Sequence, residues 1–113
     1  MQKKLRWTAS LTLGSVVLTG LIFISAPAKA NDAAEATYKA KCAMCHGADG
    51  KGSSMGVQMG VRDFTSAEVQ GQSDIQLTAT ITKGKGKMPS YDGKLKDADI
   101  TGLVAYIRSF AKK

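Results

Sequence analysis

Cys42-Ala43-Met44-Cys45-His46 gathers both cysteines and the only histidine of a 113-residue chain. Three chemistries use such a cluster: a redox dithiol, half of a zinc site, or the covalent anchor of a haem. The choice decides the fold. A dithiol of this spacing belongs in a strand–helix–strand setting, whereas a haem needs helices and loops that can wrap a large apolar ligand.

The N-terminal flank gives the first constraint. Lys3, Lys4 and Arg6 form a positive leader, followed by an uncharged run centred on Leu11 to Ile24. Ala28-Lys29-Ala30 then supplies a small-residue processing site, so residues 1–30 read as an export signal cleaved after Ala30. The competing reading is a retained membrane anchor, because Trp7 to Ala28 carries no charge and is long enough to span. In either case residues 31–113 form one domain outside the cytoplasmic membrane.

Cleavage leaves 83 residues and takes Lys3, Lys4, Arg6 and Lys29 with it. Sixteen basic residues become twelve against nine acidic ones, and the net charge falls from +7 to about +3. The high overall charge thus belongs largely to the leader, and no nucleic-acid partner is expected. So small a domain gains much from a disulfide, metal or cofactor. A disulfide between cysteines three positions apart would close too short a loop to constrain the chain.

Helical signals dominate the remainder. Asp32 to Cys45 reads as a helix with Asp32 as N-cap and high helix propensity in Ala33-Ala34-Glu35-Ala36. Tyr38 and Cys42 share a face at i, i+4. Five glycines between Gly47 and Gly60 predict a loop. Ser73 and Gln76 form a capping box, Leu77 and Ile81 make an apolar stripe, and Gly84 is placed to end that helix. Lys83 to Lys87 reads as an extended basic loop leading to Met88-Pro89. Asp97 is the expected N-cap of a last helix whose buried stripe is Ile100, Leu103, Val104, Ile107 and Ala111. No alternating strand pair is found, so the fold class is all-α, with three or four short helices and long loops. Loops of this length in so small a domain require a function, and wrapping a large apolar ligand supplies one.

This pattern separates the three chemistries. Without a strand–helix–strand setting the dithiol reading fails, and two cysteines with one histidine cannot complete a four-ligand zinc site. In a helical turn, Cys42 and Cys45 point to the same side, each able to reach one porphyrin vinyl group, while His46 turns its imidazole toward the iron. A second axial ligand must then come from elsewhere, and no second histidine exists. Met44 lies between the two anchors and cannot cross to the opposite face. Met55, Met59 and Met88 stay open, with lysine or water as further options. Met88 is favoured because the ring of Pro89 stiffens its loop and 42 residues separate it from His46.

In this order of motifs the chain resembles the small periplasmic monohaem class I c-type cytochromes. The resemblance rests on Tyr38, Cys42-Ala43-Met44-Cys45-His46-Gly47, Asp49-Gly50-Lys51-Gly52, Gly86-Lys87-Met88-Pro89-Ser90-Tyr91 and Leu103 to Arg108. It implies a cytochrome c fold with crossing terminal helices, Tyr106 near the crossing, and one covalent haem c. Cys42 and Cys45 would carry the thioethers, His46 would be the proximal ligand and Met88 the distal one. Two departures stand out. Ala34 occupies a position where many members carry glycine, implying a slightly wider crossing. No proline follows the motif before Met88, so the acceptor for His46 Nδ1 is expected from another carbonyl, in the region of Ser54 to Met59.

The expected function is outer-sphere electron transfer in the periplasm by a monomer serving redox partner proteins, without enzymatic turnover. The rival is a haem enzyme or gas sensor with an open sixth site. Lys83, Lys85 and Lys87, with Lys41 and Lys51, are candidates for steering an acidic partner. Gly47 to Ser54 is not a phosphate loop, since Gly52 follows Lys51 and no strand precedes it. Ser90 and Tyr91 read as pocket or loop residues.

Overall fold

A computed structural model describes residues 28–112 together with Gly14, Ser15 and Gly20. The leader lies almost wholly outside the described residues. Six α-helices follow in order: α1 (Ala28–Lys41), α2 (Ala43–His46), α3 (Ser54–Gln58), α4 (Ala67–Gln70), α5 (Asp74–Lys83) and α6 (Asp97–Ser109). A 3₁₀ turn, Phe110–Lys112, closes the chain. Among the described residues there is no strand, only an isolated bridge between Lys85 and Met88, and no helix is long and apolar enough to cross a membrane. The all-α expectation is met. The three long helices are those anticipated, and α3 and α4 are single turns within stretches that read as loop.

Several local expectations are corrected. The helix expected over residues 32–45 is two elements, because the ladder breaks at Cys42 (φ −116°, ψ −37°). Asp32 lies inside α1 instead of capping it, since Ala28-Lys29-Ala30 extends the helix backward. Asp97 is likewise the first residue of α6 and Lys96 is its N-cap; the Lys96 N–H donates to Asp99 Oδ2 at 3.2 Å. Ala111 is exposed. The chain tightens into the 3₁₀ turn there and buries Phe110 instead, at 0% exposure. Lys85 to Met88 forms a tight two-residue turn, not an extended loop. The Met88 N–H donates to Lys85 O at 2.9 Å and Gly86 takes φ +57°, the positive value that such turns require.

The α5 capping box is present as read, with Ser73 and Gln76 exchanging bonds and Gly84 ending the helix at φ +72°. Ile100, Leu103, Val104 and Ile107 of α6 are buried with Leu77 and Ile81 of α5, Tyr38 of α1, and Phe64, Val69 and Phe110. Each such side chain contributes roughly 1.5–3 kcal/mol of hydrophobic stabilisation. The terminal helices α1 and α6 pack together, as expected of crossing helices. Small residues meet there: a Cβ placed on Gly102 would lie 3.4 Å from that of Ala34, so Gly102 makes room for the methyl group.

Tyr38 is the hinge of this packing. Its ring centroid lies 5.0 Å from that of Tyr106 and 5.5 Å from that of Phe110, pairings worth roughly 0.5–1.5 kcal/mol each beyond burial. Its hydroxyl donates to Gly47 O at 2.6 Å, tying α1 to the residue after His46. Tyr38→Phe is expected to cost about 1 kcal/mol, the net worth of that bond, since Gly47 O keeps the longer bond from the Gly50 N–H at 3.3 Å; the loss is read as a lower denaturant midpoint at unchanged m. Burial also holds the phenol protonated above its ordinary range. The stability this gives is complete below the unfolded value near about 10 and is lost as pH rises from there through the higher folded value. The Phe variant is expected to lack that alkaline decline.

Candidate functional site

The turn at residues 42–46 is built on backbone carbonyls that a helix end leaves unpaired. Gly47 ends α2 at φ +76°, its N–H bonded to Ala43 O at 2.8 Å. The Gly52 N–H then donates to His46 O at 2.8 Å and the Ser53 N–H to Cys45 O at 2.9 Å. The Ser53 hydroxyl donates to Met44 O at 2.6 Å and reaches Cys45 O at 3.2 Å, while accepting from Gly56 N as the N-cap of α3. One serine therefore joins α2 to α3. Gly56 makes the contact possible, since α3 runs directly against the Cys45 backbone at this point.

Cys42, Cys45, His46 and Met88, the four residues singled out from the sequence, line one cleft of about 370 Å³. That volume falls within the range of about 300–1,000 Å³ usual for cofactor pockets. Its walls are largely apolar: Val61, Phe64, Leu77, Ile81 and Ile107. Met59 lines the cleft as well, whereas Met44 is 71% exposed and Met55 44% exposed, and neither reaches it. Met59 follows α3, the element packed on α2 and so on the side of His46. Met88 comes from the separate loop after α5.

His46 has a distinctive environment. Its Nδ1 is buried without a hydrogen-bond partner among the described residues, so the acceptor expected near Ser54 to Met59 is not found. Phe64 instead stacks on the imidazole, centroids 4.4 Å apart and planes inclined by 21°. With Nδ1 sealed, the ring presents its other nitrogen to the cleft. Burial lowers the imidazole pKa, favouring the neutral ring that ligates metal. Burial also pushes the Cys42 thiol up to about 11, against the pull of Lys41. Both cysteines are free thiols. Among the described residues no three His, Cys, Asp or Glu side chains converge into a metal site of the zinc kind.

The Met88 side of the cleft is set by backbone proximity. A Cβ on Gly84 would lie 2.5 Å from Met88 O and 2.8 Å from Ser90 N, so glycine lets the Met88–Ser90 segment fold back on the end of α5. Ser90 Oγ donates to Thr82 O at 2.7 Å and the Tyr91 N–H to Ile81 O at 3.2 Å. Lys41, Lys85 and Lys87 stand at the cleft, as do Arg62 and Glu68, which pair with each other; Lys51 and Lys83 do not line it. Two thiols on one turn, a neutral imidazole, a thioether lining the same cleft and apolar walls fit a covalently held haem.

Phe64 and Ser53 have no place in the expected site, and Gly56 counts there only as one of the loop glycines. Ser53 and Gly56 carry a faint signal, an N-cap serine three residues before a glycine. Phe64 carries none, because its partner lies 18 positions away.

Comparison with known proteins gives the family. The family described as cytochrome c oxidase, cbb3-type, subunit III matches residues 29–107. A cytochrome c6 of Picosynechococcus sp. is 32% identical over 110 residues, covering 90% of this chain and 93% of its own. A cbb3-type cytochrome c oxidase subunit CcoP of Azospirillum brasilense is 32% identical over 88 residues, 75% of this chain but only 30% of that protein. Among solved structures, the KustC0563 c-type cytochrome superposes with a TM-score of 0.65 at 32% identity, covering 68% of this chain and 95% of that one.

Proposed function

The chain belongs to the small class I c-type cytochromes, matching the family of cytochrome c oxidase, cbb3-type, subunit III, and we propose that Cys42, Cys45, His46 and Met88 hold its haem. As a member it is an electron carrier acting through one covalently bound haem c. The bound haem supplies an iron that passes between Fe(III) and Fe(II). In our reading Cys42 and Cys45 form the two thioethers, His46 is the proximal ligand and Met88 the distal one. The observation that carries this is the convergence of these four side chains on one cleft, with His46 Nδ1 sealed behind it.

The residues divide the work. Phe64 and the Ser53 bonds hold His46 and the attachment turn, so little rearrangement accompanies a change of charge at the site. Met88, a weak neutral donor, favours the reduced state. Leu77, Ile81 and Ile107 keep water from the cleft. With His46 and Met88 both holding the iron, no position would be left for a substrate, and we read the protein as a carrier with no turnover of its own.

Its redox partners are proteins. We propose that they include a membrane redox complex with an acidic face, met by Lys41, Lys85 and Lys87 at the cleft mouth. We further propose that residues 1–30 are removed in export, so that the monomeric carrier begins at Asn31 in the periplasm. Intact mass of the purified protein tests cleavage and haem loading: a start at Asn31 with one haem added is expected, and an intact leader refutes cleavage. Cys42→Ala and Cys45→Ala are each expected to lower the haem-stained band on a denaturing gel several-fold. Normal staining in both variants overturns the anchoring roles.

A further inference from the structure

We propose that Tyr91 is a positioning residue whose hydroxyl latches the Met88 loop across the cleft. The Tyr91 ring lines the cleft and packs on the core, and its hydroxyl donates to Lys41 O at 3.0 Å across 50 residues of chain. Lys41 is the last residue of α1 and precedes Cys42. The bond therefore caps a helix end and joins the element that leads into the attachment turn to the loop that carries the distal ligand.

The other contacts of this loop work at one end. Ser90 Oγ and the Asp92 N–H both bond Thr82 O, at 2.7 and 3.0 Å, and the Tyr91 N–H bonds Ile81 O. All three tie the loop back to α5, from which it comes. The Tyr91 hydroxyl reaches across to α1. Gly84 (φ +72°) and Gly86 (φ +57°) give the loop its soft points, and Pro89 stiffens the segment between Met88 and Tyr91. Swinging Met88 away from the cleft at those glycines would carry Tyr91 with it and break the hydroxyl bond. Removing the hydroxyl takes this one bond from the closed loop, leaves the ring's packing in the closed state unchanged, and so lowers the cost of opening.

The inference rests on the reading of Met88 as distal ligand, and the test separates the two. In the ferric holoprotein at neutral pH, Tyr91→Phe is expected to keep full haem attachment and its far-red methionine-to-iron band. Cyanide association is expected to rise about fivefold, the factor set by one net hydrogen bond, and amide exchange over residues 85–92 by a similar factor. A lowered melting temperature with unchanged cyanide association means a structural role only and overturns the latch, as does no change in either. Met88→Ala is measured in parallel. If it leaves the native spectrum unaltered, the ligand reading falls and the latch with it. If it abolishes the band while Tyr91→Phe binds cyanide at the native rate, the latch alone is overturned.

Discussion

Met88→Ala is expected to leave the haem covalently attached, abolish the ferric far-red methionine band, and lower the midpoint potential by on the order of 0.2 V. That is about a quarter of the ~0.8 V over which axial ligands set haem potentials. In the proposed arrangement Cys42 and Cys45 carry the two thioethers and lie in a different segment from Met88, so attachment would not depend on Met88. The spectrum and the potential do. A thioether is a poor donor to Fe(III), and replacing it by water or a nitrogen ligand stabilises the oxidised state. Met59→Ala is the decisive companion, because Met59 lines the same cleft. It is expected to leave both the band and the potential unchanged. If instead Met59→Ala removes the band and Met88→Ala does not, the distal ligand is Met59 and the role given to the Met88 loop is wrong.

The legible parts of the fold are those fixed within a few residues of chain. The Ser73–Gln76 capping box, the stop at Gly84 and the stripe from Ile100 to Ile107 need only local chemistry and were readable without the structure. The cysteines and His46 were readable for the same reason, being one turn apart. What escaped was decided by partners distant in sequence or by the competition of neighbouring elements. Phe110 displaces Ala111 from the core because the last turn tightens and carries the larger ring inward onto Tyr38 and Phe64. The helix breaks at Cys42 because α2 must turn its carbonyls to Gly52 and Ser53.

His46 shows the same limit. The absence of a proline pointed to a substitute carbonyl for Nδ1, yet the ring is held by the stacked face of Phe64, a solution with no motif. Arg108 sits in the last turn of α6, where a positive charge complements the helix end. Its guanidinium in fact bonds Gln70 O at 2.9 Å and Asp74 Oδ1, bracing the segment between α4 and α5. Gln70 in turn donates to Phe64 O at 2.6 Å. The support of the His46 ring therefore runs back to α6 through residues that no local pattern connects.

Gly56→Ala is expected to be the most damaging single methyl addition in the domain. A Cβ there would lie 1.7 Å from Cys45 O and 2.6 Å from the Cys45 carbonyl carbon. Both are backbone atoms, so no side chain can rotate out of the way and α3 must move off α2. The shift would pull Ser53 from Met44 O and Cys45 O, freeing the turn that presents both thiols and His46. Filling a packed site normally costs about 1–3 kcal/mol; with rigid backbone on both sides, about 3 kcal/mol or more is expected here. Covalent haem yield should fall with it. Gly60→Ala is the control, four residues on, where a Cβ meets nothing within 4 Å but φ is +81°. Its cost is that of a left-handed non-glycine residue, roughly 1–2 kcal/mol, with normal haem yield. Denaturant midpoints and haem stain on the two variants decide the matter. Equal midpoints would mean that α3 does not depend on a bare Cα at Gly56 to reach the attachment turn.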